Sequence, residues 1–273
     1  MNNLATRSLT AVFFVIVMVG SIMLGQLVFS ILLLGITYLS ISEFVTIVSG
    51  EKVQPSRWLT ISAGLISYSV LAAHALGFIS MEWLVIIVPF LFLIFVAELW
   101  RNKKYPFQNI AMSLLGVIYI AFPFGLLIHF FDIVYLAGPM HYGITLGYLL
   151  LLWLNDTGAY FVGSLVGKHK LFERISPGKT GEGSTGGALF ALATAWGLSM
   201  IFIQLTTLQW LILAMIVVIS GTLGDLVESM LKRSLGIKDS GNILPGHGGM
   251  LDRFDAVLIS APFVFVYLAL FCR

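Results

Sequence analysis

The chain has 273 residues, of which 59% are hydrophobic and only 10% are charged. Soluble domains carry about 25% charged residues, so this composition and a mean hydropathy of +0.99 exclude a soluble globular protein and indicate an integral membrane protein. The net charge of +2 gives no reason to expect a nucleic-acid partner, and the single cysteine, Cys272, excludes an intrachain disulfide and a cysteine-based metal site.

Apolar runs long enough to cross a bilayer recur along the whole chain. A transmembrane helix needs about 20 apolar residues, and on that rule we predict an all-α, polytopic fold. The nine predicted spans are 8–24, 27–48, 58–79, 83–99, 108–131, 143–164, 185–205, 209–231 and 251–271. Only Gly25 and Gln26 separate the first two, so a merged span and a total of eight is the alternative. Arg7 and the apolar run after it could also form a secretory signal, but no A-x-A cleavage site follows, and we expect a retained span.

The basic residues favour nine spans and one orientation. Lys and Arg concentrate in the cytoplasmic loops of membrane proteins. With nine spans and a cytoplasmic N-terminus, all 15 bases except Arg273 fall on the cytoplasmic side, whereas eight spans would scatter them. We therefore predict an outside C-terminus and chemistry at the cytoplasmic face. We expect 1–140 to be a scaffold that admits lipid, and 141–273, with the cytoplasmic loops 165–184 and 232–250, to be catalytic.

Acidic residues inside the predicted spans are candidates for function, because an ionised side chain at mid-bilayer costs about 2.5–3.5 kcal/mol. Glu43 and Glu98 lie near cytoplasmic span ends, where snorkelling or pairing with a loop base is the simpler explanation. Asp156 stands between Asn155 and Thr157 in the sixth span. We expect all three to face the bundle interior, either as interhelical hydrogen bonds or as the wall of a hydrated site.

The eighth span carries four polar residues at the helical spacing i, i+3, i+4 and i+7, namely Asp225, Glu228, Ser229 and Lys232. A Glu228–Lys232 pair would explain two of them and leave Asp225 unexplained. Asp252 and Asp255 begin the ninth span, where the helix dipole alone favours acids. If the two helices meet, their carboxylate and hydroxyl oxygens would suit Mg²⁺ beside a phosphate.

The two long cytoplasmic loops have the composition of a phosphate-binding surface. The loop 165–187 combines bases, glycines and hydroxyls, and the loop 232–250 adds Lys238, Asp239 and His247 among glycines. Glycine lets backbone N–H groups approach phosphate, and lysine supplies charge. A solvated, positively charged loop is the plainer alternative. Together with the buried acids and the many spans, these loops suggest transfer of a phosphoryl or nucleotidyl group onto a membrane lipid.

The triplet 178–180, Gly-Lys-Thr, invites comparison with the Walker A motif. We reject that interpretation for two reasons. Glu173 stands where the motif requires its first glycine, and we expect no strand before the triplet.

The segment Ser229–Asp255, SMLKRSLGIKDSGNILPGHGGMLDRFD, closely resembles the signature of the phosphatidate cytidylyltransferases, also called CDP-diacylglycerol synthases. Two further blocks agree, WLNDTGAYFVG and SPGKT with the E-G and G-G that follow it, so the resemblance extends from about residue 150 to the end. The chain departs from the family's pattern at Gly181, where a large residue is common. It also departs at GSLVG (163–167), where a more basic pattern is common.

The resemblance implies that CTP and phosphatidate react to give CDP-diacylglycerol and pyrophosphate, with the lipid phosphate attacking the α-phosphorus of CTP. It implies Mg²⁺ as the cofactor, leaves room for an accompanying K⁺, and implies a homodimer in a bacterial cell (inner) membrane with its active site facing the cytoplasm. The catalytic residues it implies are Asp225, Glu228, Ser229, Lys232, Arg233, Asp252 and Asp255, with Asp225, Ser229 and Asp252 around the metal. The substrate-binding residues it implies are Asp156, Lys179, Thr180, Lys238, Asp239, His247 and Arg253.

Two alternatives stay open at this point. The first is another lipid-directed enzyme that uses CTP, such as an ether-lipid cytidylyltransferase or a polyprenol kinase. The second is a transporter in which Asp156, Asp225 and Asp252 relay protons or cations. A transporter would more often show internal repeats, whereas this chain shows none and clusters its bases and glycines on one side.

Overall fold

The computed structural model describes residues 3–131, 141–241 and 248–272, with side chains from residue 9 onward. Over these ranges the chain forms nine helical segments. They are α1 (Asn3–Leu24), α2 (Gln26–Val48), α3 (Arg57–Ala75), α4 (Met81–Arg101), α5 (Pro106–Phe131), α6 (Gly143–Val166), α7 (Gly181–Ile201), α8 (Thr207–Ser234) and α9 (Leu251–Phe271). Eight are long and apolar enough to cross a membrane, and α1 contributes the shorter apolar stretch Leu9–Leu24. The predicted all-α fold and the count of nine spans are therefore confirmed.

Gly25 separates α1 from α2, so the alternative of one merged span is wrong. Its φ of 114° lies in a region that residues with a side chain rarely adopt. The next residue, Gln26, donates from Nε2 to the carbonyls of Ala75 (3.0 Å) and Ile128 (3.2 Å). Gly25 therefore ends α1, and Gln26 links the start of α2 to the last turns of α3 and α5.

The loop between α6 and α7 differs from its prediction. Residues 170–172 and 176–180 form an antiparallel hairpin, β1 (Lys170–Phe172) and β2 (Ser176–Thr180). The expectation that no strand precedes the Gly-Lys-Thr triplet is therefore wrong, because the triplet ends β2. Helix α7 also begins at Gly181 rather than at 185, since Thr180 caps it.

The chain packs as two compact units. The first unit comprises residues 1–129 and 237–254, and the second comprises 130–236 and 255–273. Aromatic side chains fill the first core, where the rings of Phe124 and Phe254 meet edge-on at 5.1 Å. In the second core, the Tyr148 hydroxyl lies 2.6 Å from Ser260 Oγ. The signature segment is shared between the units, and the assignment of scaffold and catalytic roles to 1–140 and 141–273 stays a prediction.

Helix α4 shows the surface expected of a span in lipid. Phe92, Leu99 and Trp100 are largely exposed along it. A contiguous apolar surface of this kind is unfavourable in water and marks contact with a membrane or a partner. Together with the hydropathy of the other helices, it identifies an integral membrane protein.

Candidate active site

The second unit contains a cavity of about 530 Å³ with several polar side chains on its wall. Helices α6 and α8, strand β2 and the first turn of α7 all contribute to its wall. Its lining residues are Asn155, Asp156, Ala159, Tyr160, Gly163, Ser164, Gly178, Lys179, Thr180, Gly183, Ser184, Thr222 and Asp225. The structure thus brings one of the two glycine-rich loops and Asp225 of the eighth span to one cavity.

Lys179 and Asp225 form an ion pair on this wall. The ammonium comes from the end of β2 and the carboxylate from the middle of α8. The two side chains are 26% and 35% exposed, so water screens the pair and limits its contribution to stability. A pair that contributes little to folding can exchange partners at little cost in stability.

Further carboxylates gather near Asp225. Asp156 lies on the cavity wall and accepts a hydrogen bond of 3.3 Å from Asn155 Nδ2. Asp255, in the first turns of α9, lies within electrostatic range of Asp225, Glu228 and Asp156. This concentration of carboxyl groups can hold a cation or the ammonium of a lysine.

Asn155, Asp156 and Thr157 of α6 face in different directions. The expectation that all three face the bundle interior is therefore wrong. Asn155 is buried, whereas Asp156 is exposed on the cavity wall. Thr157 is also exposed and donates to the carbonyl of Trp153 at 2.7 Å. Successive residues of a helix point about 100° apart, so three in a row cannot share one face.

The polar face of α8 has the geometry that its spacing predicts. Glu228 and Lys232 form an ion pair of 2.5 Å with both side chains largely buried, which confirms the expected i, i+4 pair. Ser229 Oγ lies 3.5 Å from Asp225 Oδ1, one turn away on the same face. Asp225 and Ser229 therefore offer two oxygen atoms side by side.

Thr180 and Glu182 organise the loop that carries Lys179. The buried Thr180 hydroxyl accepts from the Gly183 amide at 3.1 Å and so caps α7. Glu182 accepts from the backbone amides of Lys168 and His169, and its Oε1 lies 2.5 Å from His169 Nδ1. Sequence reasoning missed Glu182, although an acid in the first turn of a helix is a recognisable signal.

Several glycines predicted to contact phosphate lie where two helices pack closely. A Cβ on Gly183 would lie 2.8 Å from the Ala159 carbonyl, and one on Gly187 would lie 2.6 Å from the Asn155 carbonyl. Glycines spaced by four residues let two helix backbones approach closely. Gly178, in contrast, has open space around it on the cavity wall, and phosphate contact stays a prediction for it.

Asp252 lies in the first unit, where the signature segment folds around its carboxylate. Its Oδ2 accepts from the Ser240 amide at 3.0 Å, from the Ser240 hydroxyl at 2.9 Å and from the Gly249 amide at 2.8 Å. These bonds fix the first turn of α9. They also hold Ser240 and Gly249 close to one acid of the signature segment.

The two glutamates near the ends of the second and fourth spans behave differently. Glu98 accepts from Arg101 at 2.7 Å and from Asn109 at 2.6 Å, which confirms pairing with a loop base. Glu43 is only 6% exposed and accepts from Ser240 and from two backbone amides of the signature segment. It neither snorkels nor takes a loop base as its partner here, so the expectation for Glu43 is wrong.

The remaining predicted site residues are distinguished by their exposure and by the unit in which they lie. Arg233, Lys238, Asp239 and Arg253 are exposed at the surface. His247 lies outside the described residues. The predicted metal ligands are divided between the units, with Asp225 and Ser229 in the second and Asp252 in the first.

The donor atoms of Asp225 and Ser229 fit a magnesium ion. Among the described residues, no group of three or more His, Cys, Asp or Glu side chains is arranged to hold a metal. Magnesium does not require such a group, because it commonly binds through one or two carboxylates and completes its shell with water and substrate phosphates. Asp225, on the cavity wall, and the neighbouring hydroxyl of Ser229 meet that description.

Comparison with known proteins adds independent findings. Residues 5–271 match the model of a family described as the cytidylyltransferase family. The chain is 34% identical over 281 residues to the phosphatidate cytidylyltransferase of Bacillus subtilis (strain 168), covering 99% of this chain and 100% of that protein. It is also 34% identical over 264 residues to the protein of that name from Staphylococcus aureus (strain COL), covering 96% of this chain and 98% of that protein.

Proposed function

This chain belongs to the cytidylyltransferase family, and from that premise we propose that it converts CTP and phosphatidate into CDP-diacylglycerol and pyrophosphate. Near full-length similarity to bacterial phosphatidate cytidylyltransferases supports these substrates. The observation that carries the proposal is the meeting of Lys179 and Asp225 on one cavity wall. One residue can hold a phosphate and the other a cation, which is what nucleotidyl transfer needs.

The reaction requires no nucleophile from the protein. An oxygen of the phosphatidate phosphate attacks the α-phosphorus of CTP, and the bond from that phosphorus to the bridging oxygen of the β-phosphate breaks. Pyrophosphate leaves with the electron pair. Catalysis of such a step depends on positioning the two phosphates and neutralising their charge.

Lys179 is the residue best placed to neutralise phosphate charge. In the free protein its ammonium is held by Asp225. When a triphosphate enters the cavity, the ammonium turns to a phosphate oxygen. The Asp225 carboxylate would then be available to bind a cation. Lys238, Arg233 and Arg253, exposed on the surface, are proposed to assist with the outer phosphates.

Asp225 and Ser229 would hold Mg²⁺, which would supply charge neutralisation on the substrate phosphates when it is bound. Asp252 stays a predicted metal ligand and catalytic residue. Asp156 shapes the electrostatics of the cavity from α6. Glu228 is proposed to keep Lys232 at the site, because the two form a buried pair one turn beyond Asp225. Asp255 is proposed to contribute a further carboxyl group from the next helix.

We further propose that the site opens to the cytoplasmic face of a bacterial cell membrane, following the distribution of bases in the loops. A reporter fused after Arg273 should then be active only on the outer side, and activity in the cytoplasm would contradict the orientation. The enzyme is also proposed to act as a homodimer, which light scattering on the detergent-solubilised protein would test.

The proposed function can be tested by nucleotide selectivity. Purified protein in detergent, given phosphatidate and Mg²⁺, should form a lipid product with CTP and not with ATP, GTP or UTP. Parallel reactions with a polyprenol in place of phosphatidate serve as the control. A product with ATP or with the polyprenol, and none with CTP and phosphatidate, would overturn the proposal in favour of a lipid kinase.

A further inference from the structure

The buried carboxylate of Glu43 makes a set of contacts that the proposed reaction does not explain. This residue lies on α2 and is 6% exposed. Its Oε2 accepts from the amides of Met250 (2.6 Å) and Leu251 (3.1 Å), and its Oε1 accepts from the Ser240 hydroxyl at 2.7 Å. All of these partners belong to the signature segment, and the two amides belong to the start of α9.

The segment is shaped to admit this carboxylate. A Cβ on either Gly241 or Gly249 would collide with the Glu43 carboxylate. Both glycines thus allow the backbone to close around an acid that comes from a distant part of the chain. Amides at a helix start that lack partners within the helix are natural donors to a carboxylate.

The Ser240 hydroxyl joins Glu43 to Asp252. It lies 2.7 Å from Glu43 Oε1 and 2.9 Å from Asp252 Oδ2. A hydroxyl has one proton and donates it to one acceptor at a time. The hydroxyl can therefore donate to either Glu43 or Asp252, so the two carboxylates share one proton donor.

We propose that Glu43 is a positioning residue for the nucleotidyl transfer reaction, holding Ser240 and residues 249–251 so that Asp252 keeps its orientation. This inference rests on the proposed function, in which Asp252 takes part in catalysis. Glu43 acts through Ser240 and the backbone and touches no substrate itself. Replacing a residue that orients a metal ligand through hydrogen bonds typically changes metal affinity or activity by about 10- to 100-fold.

The test is the variant Glu43→Gln, with Glu98→Gln as the matched control. Glutamine keeps the size of the side chain but loses the negative charge and one of the two oxygens that accept from the amides and the hydroxyl. Glu98 is equally buried, at 6% exposure, lies in the same unit and pairs with Arg101 and Asn109. Both variants remove one buried carboxylate, but only the first removes a contact with the signature segment.

Two readouts are needed, and one of them does not depend on activity. Hydrogen exchange at the Met250 and Leu251 amides should accelerate by about tenfold or more in Glu43→Gln and stay unchanged in Glu98→Gln. The kcat per folded molecule should fall by about 10- to 100-fold in Glu43→Gln, with little change in the KM for CTP. A purely structural role would lower the melting temperature and the folded yield but leave kcat unchanged, and that outcome would overturn the proposal.

The variant Ser240→Ala tests the route from Glu43 to Asp252. If Glu43 acts through this hydroxyl, the double variant will lose less activation free energy in kcat than the sum of the losses in Ser240→Ala and Glu43→Gln. Fully additive losses would contradict the route. If the unmodified protein forms no CDP-diacylglycerol, the proposed function fails, whereas the hydrogen-exchange result still tests whether Glu43 holds the segment.

Discussion

Lys179 at the end of strand β2 and Asp225 in the middle of helix α8 form an ion pair on the wall of the cavity in the second unit. The pair joins the two parts of the sequence that carry the strongest chemical signals, a basic glycine-rich loop and an acid within an apolar span. Both side chains keep access to water. We therefore propose that substrate rearranges this pair when it binds.

Replacing Lys179 should weaken CTP binding. A hydrogen bond to a charged group contributes about 1.5–3 kcal/mol, so Lys179→Met should raise the KM for CTP by about 10- to 100-fold. Lys179→Arg, which keeps the charge, should recover part of the loss. Steady-state kinetics at varied CTP would measure both. Lys170→Met, on the exposed first strand of the same hairpin, is the control, and an equal effect of that variant would mean that only the net charge of the loop matters.

Asp225→Asn should abolish turnover and alter the magnesium requirement. The amide keeps the shape of the side chain but loses the charge that would hold both the cation and Lys179. We expect kcat to fall by at least about 100-fold. Chelation of Mg²⁺ should stop the unmodified enzyme, and added Mg²⁺ should restore it; repeating the titration with and without K⁺ tests the accompanying ion. Near-normal activity of Asp225→Asn in folded protein would remove this residue from the metal set.

Gly187→Ala should destabilise the protein through helix packing. The added Cβ would lie 2.6 Å from the Asn155 carbonyl on α6, and overpacking of this kind costs about 1–3 kcal/mol. Thermal unfolding in detergent should therefore show a lower melting temperature. Gly178→Ala is the matched control for stability, because open space surrounds Gly178. Equal melting temperatures for Gly187→Ala and the unmodified protein would show that α6 and α7 do not need this close approach.

The architecture could be predicted from the sequence because hydropathy and helical spacing are local signals. Nine apolar stretches gave nine helices, and the one polar break, Gly25–Gln26, was enough to separate the first two. The pairing of Glu228 with Lys232 followed from their spacing on α8. Each of these features depends on residues that are close in sequence.

Features that depend on distant or uncharged partners were missed. The partners of Glu43 are backbone amides and a hydroxyl in the signature segment, which leave no pattern of charge in the sequence. The hairpin before α7 is short, and its residues look like a solvated loop. From the sequence, the glycines around Gly183 are interpreted as part of a phosphate-binding loop. Close helix packing and contact with phosphate both favour a residue without a side chain, so the sequence alone does not separate the two roles.

The fate of each phosphate of CTP tests the account most directly. Purified protein would be incubated with phosphatidate and Mg²⁺ in two parallel reactions, one with CTP labelled at the α-phosphate and one with CTP labelled at the γ-phosphate. We predict that the α-label enters the lipid product and that the γ-label is released in pyrophosphate. Transfer of the γ-label to a lipid, with none of the α-label, would contradict cytidylyl transfer and identify phosphoryl transfer instead.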